Sequence, residues 1–421
     1  MKAHVDLQEI GKAAKQAAHI MAFASTEQKN RALENIANAI NQHQAKVMSA
    51  NAEDIHKAVK ASLPTEMLDR LSLQGRLQGI VRDVLKIREL PDPIGEMFER
   101  KVLPNGLQVE KWRTSLGVIG VIYESRPNVT VDAASLSIKT GNAIILRGGS
   151  ETLNTNRVLV EMIRKALKSA SLPENAVQWI DSSDRGLVKQ LLHLHDFIDL
   201  IIPRGGARLH QFCRENSTIP VITGGIGICH LFVDKSADLE AALPLIYNAK
   251  VQHPTACNAL DTLLVHREIA NEFLPRVSKT LEAAGVVLRT DGEAWKILHG
   301  EHLVEKAREE SDWDTEWLSL NLGIKIVKGL KEAVEHIQKH SRGHSDGILT
   351  QDPEQAKKFV QQVDSAAVYV NASTRFTDGG QLGLGAEIAI STQKFHARGP
   401  MGLNELTSYK WVIQGNYHVR Q

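Results

Sequence analysis

The sequence predicts an α/β protein with two doubly wound parallel-sheet domains, and three observations support this. From Leu116 onward, strand-sized apolar runs alternate with amphipathic helical stretches, as in parallel strands joined by crossover helices. The alternation restarts near His230, which divides the strands between two domains. With 421 residues, 43% hydrophobic and 24% charged, the chain can bury large cores and does not resemble a disordered or fibrous protein.

The first ninety residues read as helical throughout. Leu7, Ile10, Ala14, Ala17 and Met21 recur at helical spacing, and Ser25-Thr26-Glu27-Gln28 has the spacing of a capping box before a second helix carrying Leu33, Ile36, Ala37 and Ile40. A third stretch through Leu77, Ile80, Val84 and Ile87 is stopped by Pro91-Asp92-Pro93. Asn105-Gly106 between two short extended runs predicts a hairpin, either an oligomerisation arm or a plain surface turn. Gly117–Ile122 reads as a buried strand, Asp132–Lys139 as a helix ended by Gly141, Ala143–Leu146 as a strand, and the stretch through Val158, Met162 and Leu167 as a long helix. Val177–Ile180, Ile198–Ile202 and Val221-Ile222 add strands. In a second α/β domain over 228–365, His230–Val233 and Thr262–Val265 are strands, with helices over Leu239–Asn248 and Glu268–Ala284. Lys410–Ile413 is a late strand.

Fifty basic residues stand against 49 acidic ones, so bulk charge makes no case for a nucleic-acid or anionic-membrane partner. Three cysteines, Cys213, Cys229 and Cys257, cannot build a disulfide framework and point to a reducing compartment. The start, Met1–Asp6, has no signal-peptide pattern, and the apolar runs are too short to span a membrane. A soluble, cytoplasmic protein is expected.

No complete G-x-G-x-x-G follows a strand: Gly225-Ile226-Gly227 lacks the third glycine and Gly383-Leu384-Gly385 follows no clear strand. No P-loop, H-E-x-x-H or paired C-x-x-C occurs either, so neither a P-loop hydrolase nor a dedicated metal site is expected. Cys257, in Gln252-His253-Pro254-Thr255-Ala256-Cys257-Asn258, is the strongest chemical candidate. A thiol on a polar turn just before a strand can face a cleft and act as a nucleophile; the alternative is a small core residue. Cys229, in an apolar stretch, reads as buried and inert.

Several long motifs resemble those of the γ-glutamyl phosphate reductase family, within the aldehyde dehydrogenase superfamily. They are Gly117–Val129 with its core Tyr123-Glu124-Ser125-Arg126-Pro127-Asn128, Thr140–Ser150, Ile202–Gly206, Cys257–Val265 and His396–Gly402. The resemblance covers essentially the whole chain and implies an aldehyde-dehydrogenase-like fold. An NADP-binding domain would occupy 1–100, 116–227 and 366–399, and a catalytic domain 228–365. An oligomerisation arm would comprise 101–115 and 400–421. The implied reaction is NADPH-dependent reduction of L-γ-glutamyl phosphate to L-glutamate semialdehyde through a thioester on Cys257, in proline biosynthesis. The implied partners are a second or further copies of the chain, as a dimer or tetramer, and transiently the kinase that makes the acyl phosphate, glutamate 5-kinase.

The same resemblance distributes roles. Arg147 and Ser150 would sit at the adenosine ribose, with a neutral Ser beside a cation suiting NADP. Gly205 and Gly206 would approach the pyrophosphate, and Glu316, otherwise read as a solvated surface acid, would hold the nicotinamide ribose. The oxyanion donors would come from Asn128, Asn258 or the backbone N–H of Cys257. Arg126, Arg375 and Arg398 would supply forks for a substrate bearing carboxylate and phosphate, unless they are surface or salt-bridge arginines, with His396 a proton donor on the phosphate side. In Val221-Ile222-Thr223-Gly224-Gly225, Ile222 stands where aldehyde-oxidising relatives carry a general-base glutamate. An isoleucine cannot activate water, which protects a thioester from hydrolysis. Ile222 therefore disfavours a general NAD(P)-dependent aldehyde dehydrogenase. A non-catalytic binding protein on the same fold would leave Cys257 inert.

Overall fold

The computed structural model describes residues 5–420 apart from 225 and 226. The chain forms two compact units: Met1–Thr223 with Gly383–Ala389 and Met401–Gln421, and Gly224–Leu382 with Ile390–Pro400. No described helix is long and apolar enough to cross a membrane.

Five helices open the first unit. In α1 (Leu7–Met21) the Asp6 carboxylate accepts the N–H groups of Gln8 and Glu9, satisfying donors the helix leaves free. Ser25 and Gln28 form the expected reciprocal capping box at the start of α2 (Thr26–Gln42), which buries Leu33, Ile36, Ala37 and Ile40. α3 (Gln44–Lys60), α4 (Thr65–Leu71) and α5 (Leu77–Glu89) follow, and the chain turns extended at Leu90 before the prolines. β1 (Met97–Val102) and β2 (Gln108–Ser115) form the antiparallel hairpin, with Gly106 at φ +90° in its turn.

The cofactor-sized sheet comes next: β3 (Val118–Tyr123), α6 (Asn128–Lys139), β4 (Ala143–Arg147), α7 (Leu153–Ser169), β5 (Val177–Trp179), α8 (Gly186–Leu191), β6 (Leu200–Arg204) and α9 (Ala207–Asn216). The four strands are parallel in the order β5-β4-β3-β6, and every residue of β3 and β4 is buried. The chain winds outward from β3 through β4 to β5, then returns to the far side of β3. The reversal between β3 and β6 opens a crevice at the carboxyl ends of the strands. The strand expected at Val221-Ile222 is only a single bridge, Val221 to Ile201; Pro220 has no N–H with which to extend the ladder.

In the second unit the elements are β7 (Cys229–Val233), α10 (Leu239–Val251), β8 (Leu260–His266), α11 (Arg267–Glu282), β9 (Val287–Thr290), α12 (Gly292–Leu298), β10 (Val304–Lys306), α13 (Glu309–Trp313), β11 (Asn321–Val327), α14 (Leu330–His340), β12 (Ser345–Leu349), α15 (Pro353–Gln362) and β13 (Ala367–Val370). Seven parallel strands run in the order β10-β9-β11-β8-β7-β12-β13. Alternate residues of one strand reach opposite cores. Leu231 and Val233 of β7 join the cluster containing Phe273, Leu281 and Ile324, whereas Phe232 joins Ile337, Ile348 and Phe359. Both faces are therefore covered, as a doubly wound sheet requires.

The domain boundary expected at residue 366 is displaced. β13 pairs with β12 as the edge of the second unit's sheet, and its half-exposed Ala-Val-Tyr-Val gives too weak a pattern to show this from sequence. Only 383–389 of the expected 366–399 segment lies in the first unit, and 224–227 belongs to the second. β14 (Ile390–Ser391) and β15 (Gly399–Pro400) make a small antiparallel pair. β16 (Thr407–Gln414) then pairs along β2, from Thr407 with Ser115 to Gln414 with Gln108.

Two features yield tests. Gly141 ends α6 at φ +66°, and a Cβ there would lie 3.0 Å from the Met21 carbonyl oxygen, so Gly141→Ala should cost about 1–3 kcal/mol in urea unfolding. In the second unit, Lys250 of α10 and Asp261 of β8 are buried together, Nζ to Oδ1 3.9 Å. Burial pushes the Asp261 carboxyl up to about 7 and the Lys250 ammonium down to about 8. Between about pH 4 and 7 the folded chain holds a proton that the unfolded carboxyl has lost, so this group's contribution to stability falls as pH rises across that window. The infrared band of a buried protonated carboxyl should therefore vanish as pH passes about 7. It should persist to higher pH in Lys250→Met, where the neighbouring charge is gone; a band indifferent to both pH and substitution would refute the assignment.

Candidate active site

Cys257 lies half-buried in the connection between α10 and β8, where Ala256 N–H donates to the His253 carbonyl and Ala259 N–H to that of Ala256. Two successive turns fold the Pro-containing segment back on itself. The Cys229 thiol approaches the Cys257 carbonyl at 3.3 Å, and Gly227 packs so closely that a Cβ there would lie 1.8 Å from that oxygen. Only glycine fits this position without moving the nucleophile turn. Gly227 N–H in turn donates to Glu316 Oε1 at 3.1 Å, so Glu316 is half-buried at the same place rather than a solvated acid. Gly225 and Ile226, singled out with Gly227 in the sequence, lie outside the described residues.

Asn258 does not offer a donor to an oxyanion. Its amide group donates to the carbonyls of Arg375 at 3.3 Å and Thr377 at 2.9 Å, while Thr374 Oγ1 donates back to the Asn258 carbonyl at 2.7 Å. Both amide hydrogens are used, so Asn258 is a tether between the nucleophile turn and the 373–377 loop. That loop carries Arg375, whose Nε donates to Gln252 at 3.0 Å. Burial lowers the Arg375 pKa, opposed by the negative charge that Cys257 can carry. Arg398, by contrast, is pinned to Asp364, with Nη2 2.7 Å from both its carbonyl and its carboxylate. His396 is exposed nearby. Neither shares a hydrogen bond or ion pair with the nucleophile turn among the described residues.

Asp261 holds this arrangement from below. Its Oδ2 accepts Cys229 N–H at 3.3 Å and its Oδ1 accepts Trp317 N–H at 3.1 Å. The thiol of Cys229, fully buried beside these carboxyls, is driven well above its ordinary pKa by burial. Cys213, also buried, is pushed up to about 12 by the same cause. Both are inert as nucleophiles.

In the first unit, carboxylates bridge the loops at the strand ends. Glu124, just after β3, accepts Gly206 N–H at 3.0 Å at the start of α9. This oxygen lies so close to Gly205 that a Cβ there would come within 2.3 Å of it. The backbone of this loop is thus an anion seat, held here by the Glu124 carboxylate. Glu151 accepts both the N–H and the hydroxyl of Ser125, at 2.7 and 2.8 Å, and receives the Ser150 hydroxyl at 3.4 Å. A Cβ on Gly149 would lie 2.1 Å from this carboxylate. Arg147 is buried with its Nη1 on the Gly148 carbonyl and its Nη2 on that of Asp184. Asn128, the first residue of α6, donates to Asp132 at 2.9 Å, and Arg126 is half-buried in the loop before it. Tyr123, buried against Thr130 at 2.6 Å, is part of the core. Ile222 is buried at 3% exposure.

Glu124, Glu151, Asp261 and Thr374 were not singled out by sequence. Glu124 lay inside a motif quoted above, but nothing local showed that it would reach across to Gly206.

The aldehyde dehydrogenase family model matches residues 2–294. The protein named gamma-glutamyl phosphate reductase from Psychromonas ingrahamii is 57% identical over 417 residues, covering 99% of this chain and 100% of that protein. One of the same name from Escherichia coli O6:K15:H31 is 53% identical over 98% of this chain and 100% of its own. The crystal structure of gamma-glutamyl phosphate reductase from Thermotoga maritima superposes with a TM-score of 0.95 at 47% identity, covering 99% of this chain and 100% of that one. With an aldehyde-dehydrogenase sheet architecture, a thiol held on a glycine-clamped turn and this near-full-length likeness, the chain belongs to the γ-glutamyl phosphate reductase family of aldehyde dehydrogenases.

Proposed function

We propose that the chain is an oxidoreductase that reduces L-γ-glutamyl phosphate with NADPH to L-glutamate semialdehyde and phosphate, a step of proline biosynthesis. Near-full-length relatives named for that activity support the reading. The structural observation that carries it is the half-buried Cys257, whose turn is clamped by Gly227 and Cys229 and tied through Asn258 to the loop bearing Arg375.

The Cys257 thiolate attacks the acyl carbon, a C–S bond forms, and the C–O bond to phosphate breaks as phosphate leaves with the electron pair. Arg375 supplies a cation where negative charge gathers on substrate and leaving group. The backbone N–H of Cys257 serves the acyl oxygen, since the Asn258 amide is committed elsewhere. At the position of Ile222 there is only hydrocarbon, so no side chain there draws a proton from water to hydrolyse the thioester. Gly205 and Gly206 receive the dinucleotide's pyrophosphate, Glu316 its nicotinamide ribose, and Ser150 and Arg147 border the adenosine ribose. When bound, the reduced nicotinamide supplies a hydride. Collapse of the resulting thiohemiacetal re-forms the C=O bond and breaks the C–S bond, leaving the electron pair on Cys257 Sγ and releasing the semialdehyde. Arg126, on the loop before α6, is assigned to the substrate's charged end, and Asn128, at the start of α6, is the alternative donor to the acyl oxygen.

The arm adds a second proposal, that copies of the chain associate through it. β16 is an edge strand with a free side, and it exposes Tyr409, Trp411 and Ile413; a long exposed edge with apolar side chains favours pairing with another strand.

Cys257→Ser should lower reductase turnover more than about 1,000-fold while leaving the thermal melt unchanged; retained turnover would refute the thioester. Run backwards, NADP-linked oxidation of the semialdehyde should stop when phosphate is omitted, whereas a general aldehyde dehydrogenase would continue. Trp411→Glu should shift the sedimentation coefficient toward that of a monomer, and an unchanged value would remove the arm from the assembly.

A further inference from the structure

At the edge where the adenosine half of the dinucleotide is assigned, the arginine expected to meet it does not face outward. Arg147 is 5% exposed, with its terminal nitrogens on main-chain carbonyls of Gly148 and Asp184. Arg157, on α7, is committed to Asp181 through two hydrogen bonds of 3.0 and 2.7 Å. Glu151 and the Ser150 hydroxyl are occupied with each other and with Ser125. None of these groups has a cationic fork to offer to solvent.

Arg185 does. It follows Asp184 on the turn between β5 and α8, and Arg147 fastens that turn to the end of β4 by its bond to the Asp184 carbonyl, 3.3 Å. The turn is built from within: Ser182 Oγ accepts Asp184 N–H at 3.1 Å and Asp184 Oδ1 accepts Gly186 N–H at 2.8 Å. Arg185 is exposed and makes no ion pair or side-chain hydrogen bond among the described residues. Its charge is close enough to add to the lowering of the Arg147 pKa, which burial dominates. The strand order β5-β4-β3-β6 places the Gly205-Gly206 anion seat on one side of β3 and Arg185 on the other. The turn bearing Arg185 follows β5, three strand spacings or about 14 Å from the loop after β6, a gap that the long arginine side chain narrows.

We propose that Arg185 is the specificity-determining residue that selects the 2′-phosphate of NADP(H) over the 2′-hydroxyl of NAD(H), with buried Arg147 acting as its positioning residue. The inference rests on the assignment of NADPH to this unit. A guanidinium fork matches a phosphate with two charge-assisted hydrogen bonds, and Arg185 breaks no existing partnership to make them.

Equilibrium titration calorimetry on the full chain, with NADP+ and NAD+ as probes, separates the possibilities. Wild type should bind NADP+ the more tightly. Arg185→Ala should lose about ten- to a hundredfold in NADP+ affinity with NAD+ affinity within about twofold. Arg185→Lys should fall between them, keeping the charge without the fork. Arg185 is exposed, so the melting temperature of each variant should match wild type. If wild type prefers NADP+ and Arg185→Ala keeps that preference, the assignment of Arg185 is overturned while the NADPH reading stands. If wild type shows no preference, the NADPH reading fails and this inference with it.

Discussion

One buried carboxyl sets the register of everything around the thiol. Asp261 takes the N–H of Cys229 at the start of β7 and the N–H of Trp317 before β11, and it lies at the amino end of its own strand, β8. The residues adjoining these bonds are those that meet at the nucleophile turn: Gly227 before Cys229, Glu316 before Trp317, and Cys257 before β8. Removing that acceptor would leave two N–H groups unpaired and the buried Lys250 ammonium with the Leu260 carbonyl but no counter-charge, at a cost of several kcal/mol, of order 3–5.

The two sheets use opposite edges. Parallel α/β sheets ordinarily bind ligands beyond the carboxyl ends of their strands, and in the first unit the loops proposed for the dinucleotide, after β3, β4 and β6, lie at those ends. In the second unit the nucleophile turn, Gly227, Glu316 and His344 all lie before the strands β8, β7, β11 and β12. Its carboxyl ends carry structural bonding instead: Asp234 after β7 receives the hydroxyls of Ser236 and Thr350 at 2.7 and 2.9 Å.

Much of this architecture was legible because it is local. Helical spacing, the Ser25–Gln28 capping box, the Asn105-Gly106 turn and the apolar runs of β3, β4, β7 and β8 are all decided within a few residues. The setting of Cys257, a polar turn before a strand, could be read in the same way. What escaped depends on partners distant in sequence. Asn258 has the same amide whether it faces a substrate or the carbonyls of Arg375 and Thr377, and Arg398 the same fork whether it is free or bound to Asp364. Arg147 was placed at the ribose by resemblance alone, and nothing local showed that the turn bearing Asp184 would come back to meet it. β13 escaped because an edge strand carries a weak pattern, and Val221-Ile222 was overread because Pro220 cuts its ladder short.

The pairing of β16 with β2 has a consequence for biosynthesis. Residues 407–414 complete a sheet begun by residues 97–115, so the whole of the second unit, contained within 224–400, is synthesised between the two partners. Until β16 follows, one flank of β2 has no strand to hydrogen-bond with in its own chain. Closure of the first unit is therefore a late, long-range event, the kind of contact that forms slowly and leaves an open edge exposed to neighbouring nascent chains.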